Sequence, residues 1–529
     1  MKTLPACWLV LTVLASACFG TMKSSAAITL QTGQNFTAAT LFIDAGLVPP
    51  DSDGAIGPNH FVEFINGRFS VFDKNSGTRV QTMTDISFWN SAGVSFPAGA
   101  FTSDPRVIYD PLSARWFASQ IDVMAGNEIS NRFLLAVSTN SDPTGAWNGV
   151  AWPADPAGSF ADYPRLGVDV NGVYLTGNQF DAIGNFAGVL ITSIPKSDLL
   201  LPTPTVTNRT SSGLMPESQR GFVLQPAVNF NPANTPEFVL AVDSDGTDFL
   251  PHTNLRTFKI TGADTPTATL SANTDIVVPD YSVPINPPQP NGMNTLDDGD
   301  LRIGAYAFQV ADVVYAVHAV EVGPRAALRW YRLRASDSTL LESGTISDTN
   351  LDLFYPSIAA NTNGFVVIGF NGSSTNSFIS SYAVAGRTIN SNTIFADKVL
   401  LKAGADNYEL APSGGGNRWG DYSTTTVDAA NPDHFWTIQE FPSSVNVWST
   451  QVTEMIVAEP LPVLQITGSG PAVALSWLTN NIGFALQSSP SVAPGAVWSP
   501  VTNTVVTVGN QFSVTVDINP AAQFFRLFR

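Results

Sequence analysis

Cysteine is almost missing from this chain: there are two, Cys7 and Cys18, both in its first eighteen residues. Everything after them must hold together without a disulfide, by burying a large core. Positive charge is also scarce, with 25 Lys and Arg against 43 Asp and Glu and a formal net charge of -18. That field disfavours polyanions, and no basic run or basic-aromatic interleaving offers a local exception, so no nucleic acid or anionic lipid partner is expected. The four histidines, His60, His252, His318 and His434, are far apart and have no zinc-ligand spacing. Walker, dinucleotide and Gly-x-Ser-x-Gly patterns are missing. Beyond the first residues, no apolar run is long enough to predict a transmembrane span.

What is present begins with Lys2, an apolar run through Trp8 to Leu14, and Ala15-Ser16-Ala17. A short positive end, a short apolar core and a small-x-small exit describe a secretory signal. Residues 1–27 are therefore expected to be signal peptide and leader, cleaved after Ala17 or near Ala26-Ala27. Cys18 directly after Ala17 also fits a lipoprotein anchor, although Ala15 stands where such a site prefers Leu. The expected location is secreted or at the cell surface.

The chain as a whole is low in charge, 13%, and rich in turn formers, with 41 Gly and 37 Pro, which suits an all-β extracellular chain. Its best preserved unit is RWGDY, Arg418 to Tyr422, followed by two apolar strands separated by an Asn-Pro-Asp turn. The same polar entry, strand, turn and strand recur from Asp53, Asp104, Asp162, Gln225, Asp300 and Tyr355, at intervals of about sixty residues. Such a repeat predicts a seven-bladed β-propeller over residues 28–459, with the lead before Asp51 adding an outer strand or closing the ring. Asn66-Gly67 predicts a type I′ hairpin, and Ser141 to Trp147 a turn that packs Trp147 between units. From residue 460 to 529 the repeat stops, and about six short alternating strands predict a small C-terminal β-sandwich.

That last segment, through ALSW ending at Trp477, GFALQSS from Gly483, the Trp498 strand and FFRL from Phe524, resembles a C-terminal module of secreted Verrucomicrobia proteins. The preceding four hundred or so residues resemble a family of secreted bacterial β-propeller proteins, distantly similar to sialidase and BNR-repeat propellers. The motifs that carry this are PPDSDGAIGPNHFVEF from Pro49, DPRVIYDPLSARWFAS from Asp104, SDPTGAW from Ser141, LRWYRL from Leu328, YPSIAANTNG from Tyr355 and RWGDYS from Arg418. The resemblance implies the fold and export, and no particular activity.

If the units align, Asp53, Asp104, Asp162, Asp300 and Asp421 stand at the starts of inner strands and converge on one mouth, with Arg106, Arg165, Arg302 and Arg418 close by. Three uses fit. The pairs can knit neighbouring blades. They can bind a ligand, an extracellular glycan or surface protein, with Tyr163, Tyr355, Tyr422 or Trp419 stacking on a sugar. Or they can hydrolyse a glycosidic bond, with Tyr422 as nucleophile and an Asp as acid/base; the early Arg-Ile-Pro signature of sialidases and regular Asp-boxes are missing. A carbohydrate-binding module is the expected function, in a chain expected to be monomeric. Two DSDG segments, with Asp51 and Asp53 and with Asp243 and Asp245, also fit either simple turns or Ca2+. Neither is an EF-hand.

Overall fold

The computed structural model describes residues 28–124, 129–233, 235–247, 250–291, 294–410, 412–413, 416–459, 462–469, 471–479, 483–517 and 523–528. The expected signal segment with Cys7 and Cys18, and residue 460 at the expected module boundary, lie outside these.

The architecture is all-β, a succession of small antiparallel sheets. The first is Asp53–Ile56, His60–Ile65, Arg68–Asp73 and Arg79–Met83, each strand paired with the next. The second repeats the pattern from Ala100–Asp110 to Trp147–Pro153. The third, fourth, fifth and sixth begin at Phe160–Val168, Phe222–Asn229, Ala307–Val310 and Asp352–Ala360. Val168 also pairs in parallel with Val228, and Ala227 to Asn229 with Ala307 to Gln309, so the third to fifth units join in one thirteen-stranded sheet. In the seventh, Thr424–Val427, His434–Ser444 and Val447–Ala458 are completed by Thr29–Thr40 from the other end of the chain. The lead thus supplies an outer strand, with Leu30 opposite Val457 and Phe36 opposite Val452.

The first strands of successive units touch in sequence order, from Asp53–Ile56 through Ala100–Asp110 and onward to Thr424–Val427, which touches Asp53–Ile56 again. Apolar clusters fill the spaces between neighbouring sheets. Between the first two, Phe69, Phe88, Trp116 and Trp147 are buried together, each worth about 1.5–3 kcal/mol of transfer free energy. Trp147 meets the Phe88 ring edge-on at 5.2 Å and donates its indole N–H to the Pro143 carbonyl at 2.9 Å. The Asp142 carboxylate holds the turn by accepting from the Thr144 N–H at 3.0 Å, as expected of this segment. The Asn66-Gly67 hairpin also forms, but only Gly67 has positive φ (+85°); it is not a type I′ turn, and Asn66 instead uses its side chain at the site described below.

Residues after 462 form two further sheets, Gln465–Ser469, Ala472–Leu478, Gln511–Asp517 and Val506–Val508 in one and Ser499–Pro500, Ala485–Ser489 and Phe524–Phe528 in the other. Leu475, Trp477 and Val514 of the one share a core with Leu486 of the other. No helix among the described residues is long and apolar enough to cross a membrane.

Candidate functional site

Four of the inner strands carry the same defect. Pairing slips by one residue between Ser103 and Arg106, Asp162 and Arg165, Phe222 and Gln225, and Phe354 and Ser357. Within each slip one residue is left-handed: Asp104 (φ 59°), Tyr163 (φ 52°), Val223 (φ 55°) and Tyr355 (φ 44°), with Asp51 (φ 51°) in the same position before the first sheet. A non-glycine residue there costs about 1–2 kcal/mol and re-aims its neighbours, so five repeats of it mark a place where orientation matters.

Side chains from adjacent units hold these residues. The Asn66 Nδ2 donates to Asp51 at 2.7 Å, and its Oδ1 accepts from the Asp104 N–H at 3.0 Å. The Asp104 carboxylate in turn accepts from the Tyr163 N–H at 3.0 Å. Three phenols reach across: Tyr163 donates to the Asp421 carbonyl and Tyr422 to the Pro105 carbonyl, both at 2.9 Å, and Tyr355 to the Asp297 carbonyl at 3.0 Å.

Together they line a cavity of about 540 Å³. Seven aspartates face it: Asp51, Asp104, Asp162, Asp297, Asp298, Asp300 and Asp421. Its two guanidiniums are already engaged, Arg302 with Asp300 at 2.7 Å and over the Tyr163 ring at 4.2 Å, and Arg418 with Asp421 at 2.9 Å and Asp297 at 3.4 Å. Burial, and then repulsion from Asp162 and Asp421, pushes Asp104 up to about 7. Burial, then Asp421 and Asp104, raises Asp51 well above the usual carboxylate range. Asp162 is raised by burial and Asp421, against the pull of Arg302. Asp298 is raised by burial, then Asp297 and Asp352; the Tyr355 backbone N–H pulls the other way, yet neither oxygen has a hydrogen bond of normal geometry.

Of the predicted residues, the structure brings Asp104, Asp162, Asp300, Arg302, Arg418, Asp421 and Tyr422 to this cavity. Asp53 is not at the mouth. It is fully buried two positions further along its strand, 3.3 Å from Arg106, and burial pushes it up to about 7 despite that partner; Asp51 takes the wall position. Arg106 and Arg165 also lie beneath the mouth with no exposure, Arg106 stacked 3.1 Å from the Tyr422 ring centre and Arg165 donating to Gln225 at 2.6 Å. Trp419 is a core residue, edge-on to Tyr408 at 4.8 Å with its N–H on Asn371 at 3.0 Å, and presents no stacking face.

The second DSDG segment behaves as a turn, whereas in the first Asp53 and Gly54 open a strand and Asp51 lines the cavity. Asp243 meets His252 at 2.9 Å, and Asp245 accepts from the Thr247 N–H at 2.9 Å. Among the described residues, no group of three His, Cys, Asp or Glu could hold a metal ion. His318, which reads as an ordinary strand residue, also lines the cavity; its Nδ1 meets the Leu301 carbonyl at 2.8 Å and its Nε2 the Tyr331 hydroxyl at 2.9 Å. Burial lowers it to about 4, so it stands neutral.

In sequence the chain matches no protein-family model and no curated protein. Among solved structures, Drosophila Semaphorin 1b extracellular domains 1-2 match at 7% identity and TM-score 0.38, covering 80% of this chain and 88% of that one. A protein of unknown function from Dyadobacter fermentans matches at 8% and 0.38, covering 69% and 97%. The GH93 alpha-L-arabinofuranosidase of Fusarium graminearum, in complex with arabinobiose, matches at 9% and 0.37, covering 79% and 98%. The similarity is weak, at the level of fold, and assigns no residue a role.

Proposed function

We propose that this is an exported seven-bladed β-propeller, residues 28–459, with a C-terminal β-sandwich, residues 460–529, and that it binds an extracellular carbohydrate at the acidic mouth. The propeller reading is supported by seven strand units whose first strands touch in a cycle, and by the pairing of Thr29–Thr40 into the last of them. The binding reading rests on one observation: a cavity of about 540 Å³, within the ordinary range for ligand pockets, lined by aspartates that strained backbone aims at one space. Carboxyls there that hold a proton near neutral pH, such as Asp104, can donate to one sugar hydroxyl and accept from another.

A glycoside hydrolase is the second reading, favoured by Asp104, a carboxyl kept near 7, where a general acid is useful, with other carboxyls of the cavity around it. Tyr422 does not suit the role of nucleophile: burial holds its proton far more tightly than in a free phenol, and its hydroxyl donates to the Pro105 carbonyl.

Incubation with a glycan panel, reading bound ligand and released sugar in the same wells, tests both. Retention without release, weakened about tenfold or more by Asp162→Asn, is the expected outcome. Release that disappears in Asp104→Asn would move the assignment to the hydrolase, and neither signal would remove the carbohydrate reading.

A further inference from the structure

The mouth is poorly matched to a neutral sugar in one respect. Seven carboxylates line it, while its two guanidiniums already serve Asp297, Asp300 and Asp421. Two of the remaining carboxylates are left wanting donors. Asp298 is 4% exposed with both oxygens lacking a hydrogen bond, and Asp51 is 2% exposed with Oδ1 lacking one. Burial favours the protonated form of both carboxyls; an ammonium seated beside them supplies the donors and the positive charge that let them ionise, and so recovers the cost of burying them. Whatever fills the cavity should therefore carry N–H donors and positive charge. A single metal ion suits the wall poorly, since no three of its carboxylates converge to hold one among the described residues. An extended ligand with cations spaced along it matches acidic groups distributed round a rim.

We infer that the mouth cavity binds a glycan bearing primary ammonium groups, a free amino-sugar chain, with ammoniums seated on Asp51 and Asp298. This rests on the carbohydrate reading and narrows it. Each ammonium brings three donors and one positive charge on a compact head. Charge-assisted hydrogen bonds of this kind are about twice as strong as neutral ones, so N-acetylation, which removes the charge and two of the donors, should weaken binding sharply. The formal charge of -18 attracts any polycation, so the site must be identified by stoichiometry and by position as well as by affinity.

The test is calorimetric titration of the mature chain with a β-1,4-linked glucosamine tetramer and with its fully N-acetylated counterpart. The free-amine tetramer should bind one to one and about tenfold or more tighter than the acetylated one. Asp298→Asn and Asp51→Asn should each weaken it by about tenfold. Asp181→Asn replaces an acidic side chain in a half-exposed turn outside the cavity lining and should leave it unchanged. Equal affinity for the two tetramers would overturn the ammonium inference and leave carbohydrate binding standing; binding of neither would overturn both. Free-amine binding that falls equally in all three variants would assign the interaction to net charge and overturn the site. The comparison of the two tetramers needs no variant, so it holds even if a substitution prevents folding.

Discussion

One end of the inner strands differs sharply from the other. At the entry end the strands are bulged, left-handed and acidic round a cavity of about 540 Å³; at the exit end Ile56, Ile108, Val228, Phe308 and Val427 close on a gap of about 20 Å³. The second unit shows the gradient on one strand: Asp104 at the mouth, Arg106 buried beneath it against Asp53, then Ile108 at the apolar end. Arg106 and Ile108, beyond the bulge, share a face by strand alternation, and with the bulged Asp104 above them one strand meets three different environments. One end holds an open cavity, and the other is filled by packing.

The comparison breaks most severely in its middle layer. Asp53→Ala leaves the Arg106 guanidinium fully buried without its ion-pair partner, and should cost about 3–5 kcal/mol in denaturant unfolding. A loss below about 1 kcal/mol would mean that Arg106 is held by the Tyr422 ring instead. At the sealed end, Ile108→Ala should cost about 2–4 kcal/mol by cavity formation and leave ligand affinity at the mouth unchanged. A change in affinity there would show that the two ends are mechanically coupled.

A further effect is read with pH. Glu63 and Asp104 are each raised by burial to about 7, so the folded chain keeps protons that the unfolded chain releases near pH 4. Between those values unfolding releases protons, and stability therefore falls as pH rises, by at most about 1.4 kcal/mol per pH unit for each group, with no further loss above 7. Exposed carboxyls with lowered values, such as Asp73 and Asp337, act only at more acid pH. Thermal melts should give a Tm several degrees higher at pH 5 than at pH 8. The reverse order would mean that these buried carboxyls are ionised and paired in the folded chain.

Much of the framework was legible. The recurring strand, turn and strand pattern located the seven units, the lead before Asp51 joined the last of them, and the Asp142 turn buried Trp147 as expected. The site was legible only in part. Asp104, Asp162, Asp300 and Asp421 reached the cavity, but Asp53 and Asp51 exchanged places because alignment on the first unit slipped by two residues beside a left-handed position. A bulge inverts the alternation on which such alignment depends, and it leaves no mark in residue type when the left-handed residue is Asp, Tyr or Val. Trp419 carried the composition of a stacking residue and proved to be core, since the side of a strand's end that a neighbouring sheet covers is not written in its own segment. His318 gave no signal, because its neutrality arises from burial against Leu301 and Tyr331, which only folding brings to it.

By itself, the amino-acid order determined the all-β character, the recurrence of small strand-turn-strand units, and a charge balance poor in cations, because local turn chemistry, strand alternation and charge are carried by neighbours in sequence. Only the tertiary structure decided which carboxylates share a cavity, which arginines are spent beneath it, and which oxygens of Asp51 and Asp298 remain without donors. Those properties depend on burial and on contacts between units far apart along the chain, and burial sets both the cost of an unpaired charge and the direction in which a carboxyl titrates.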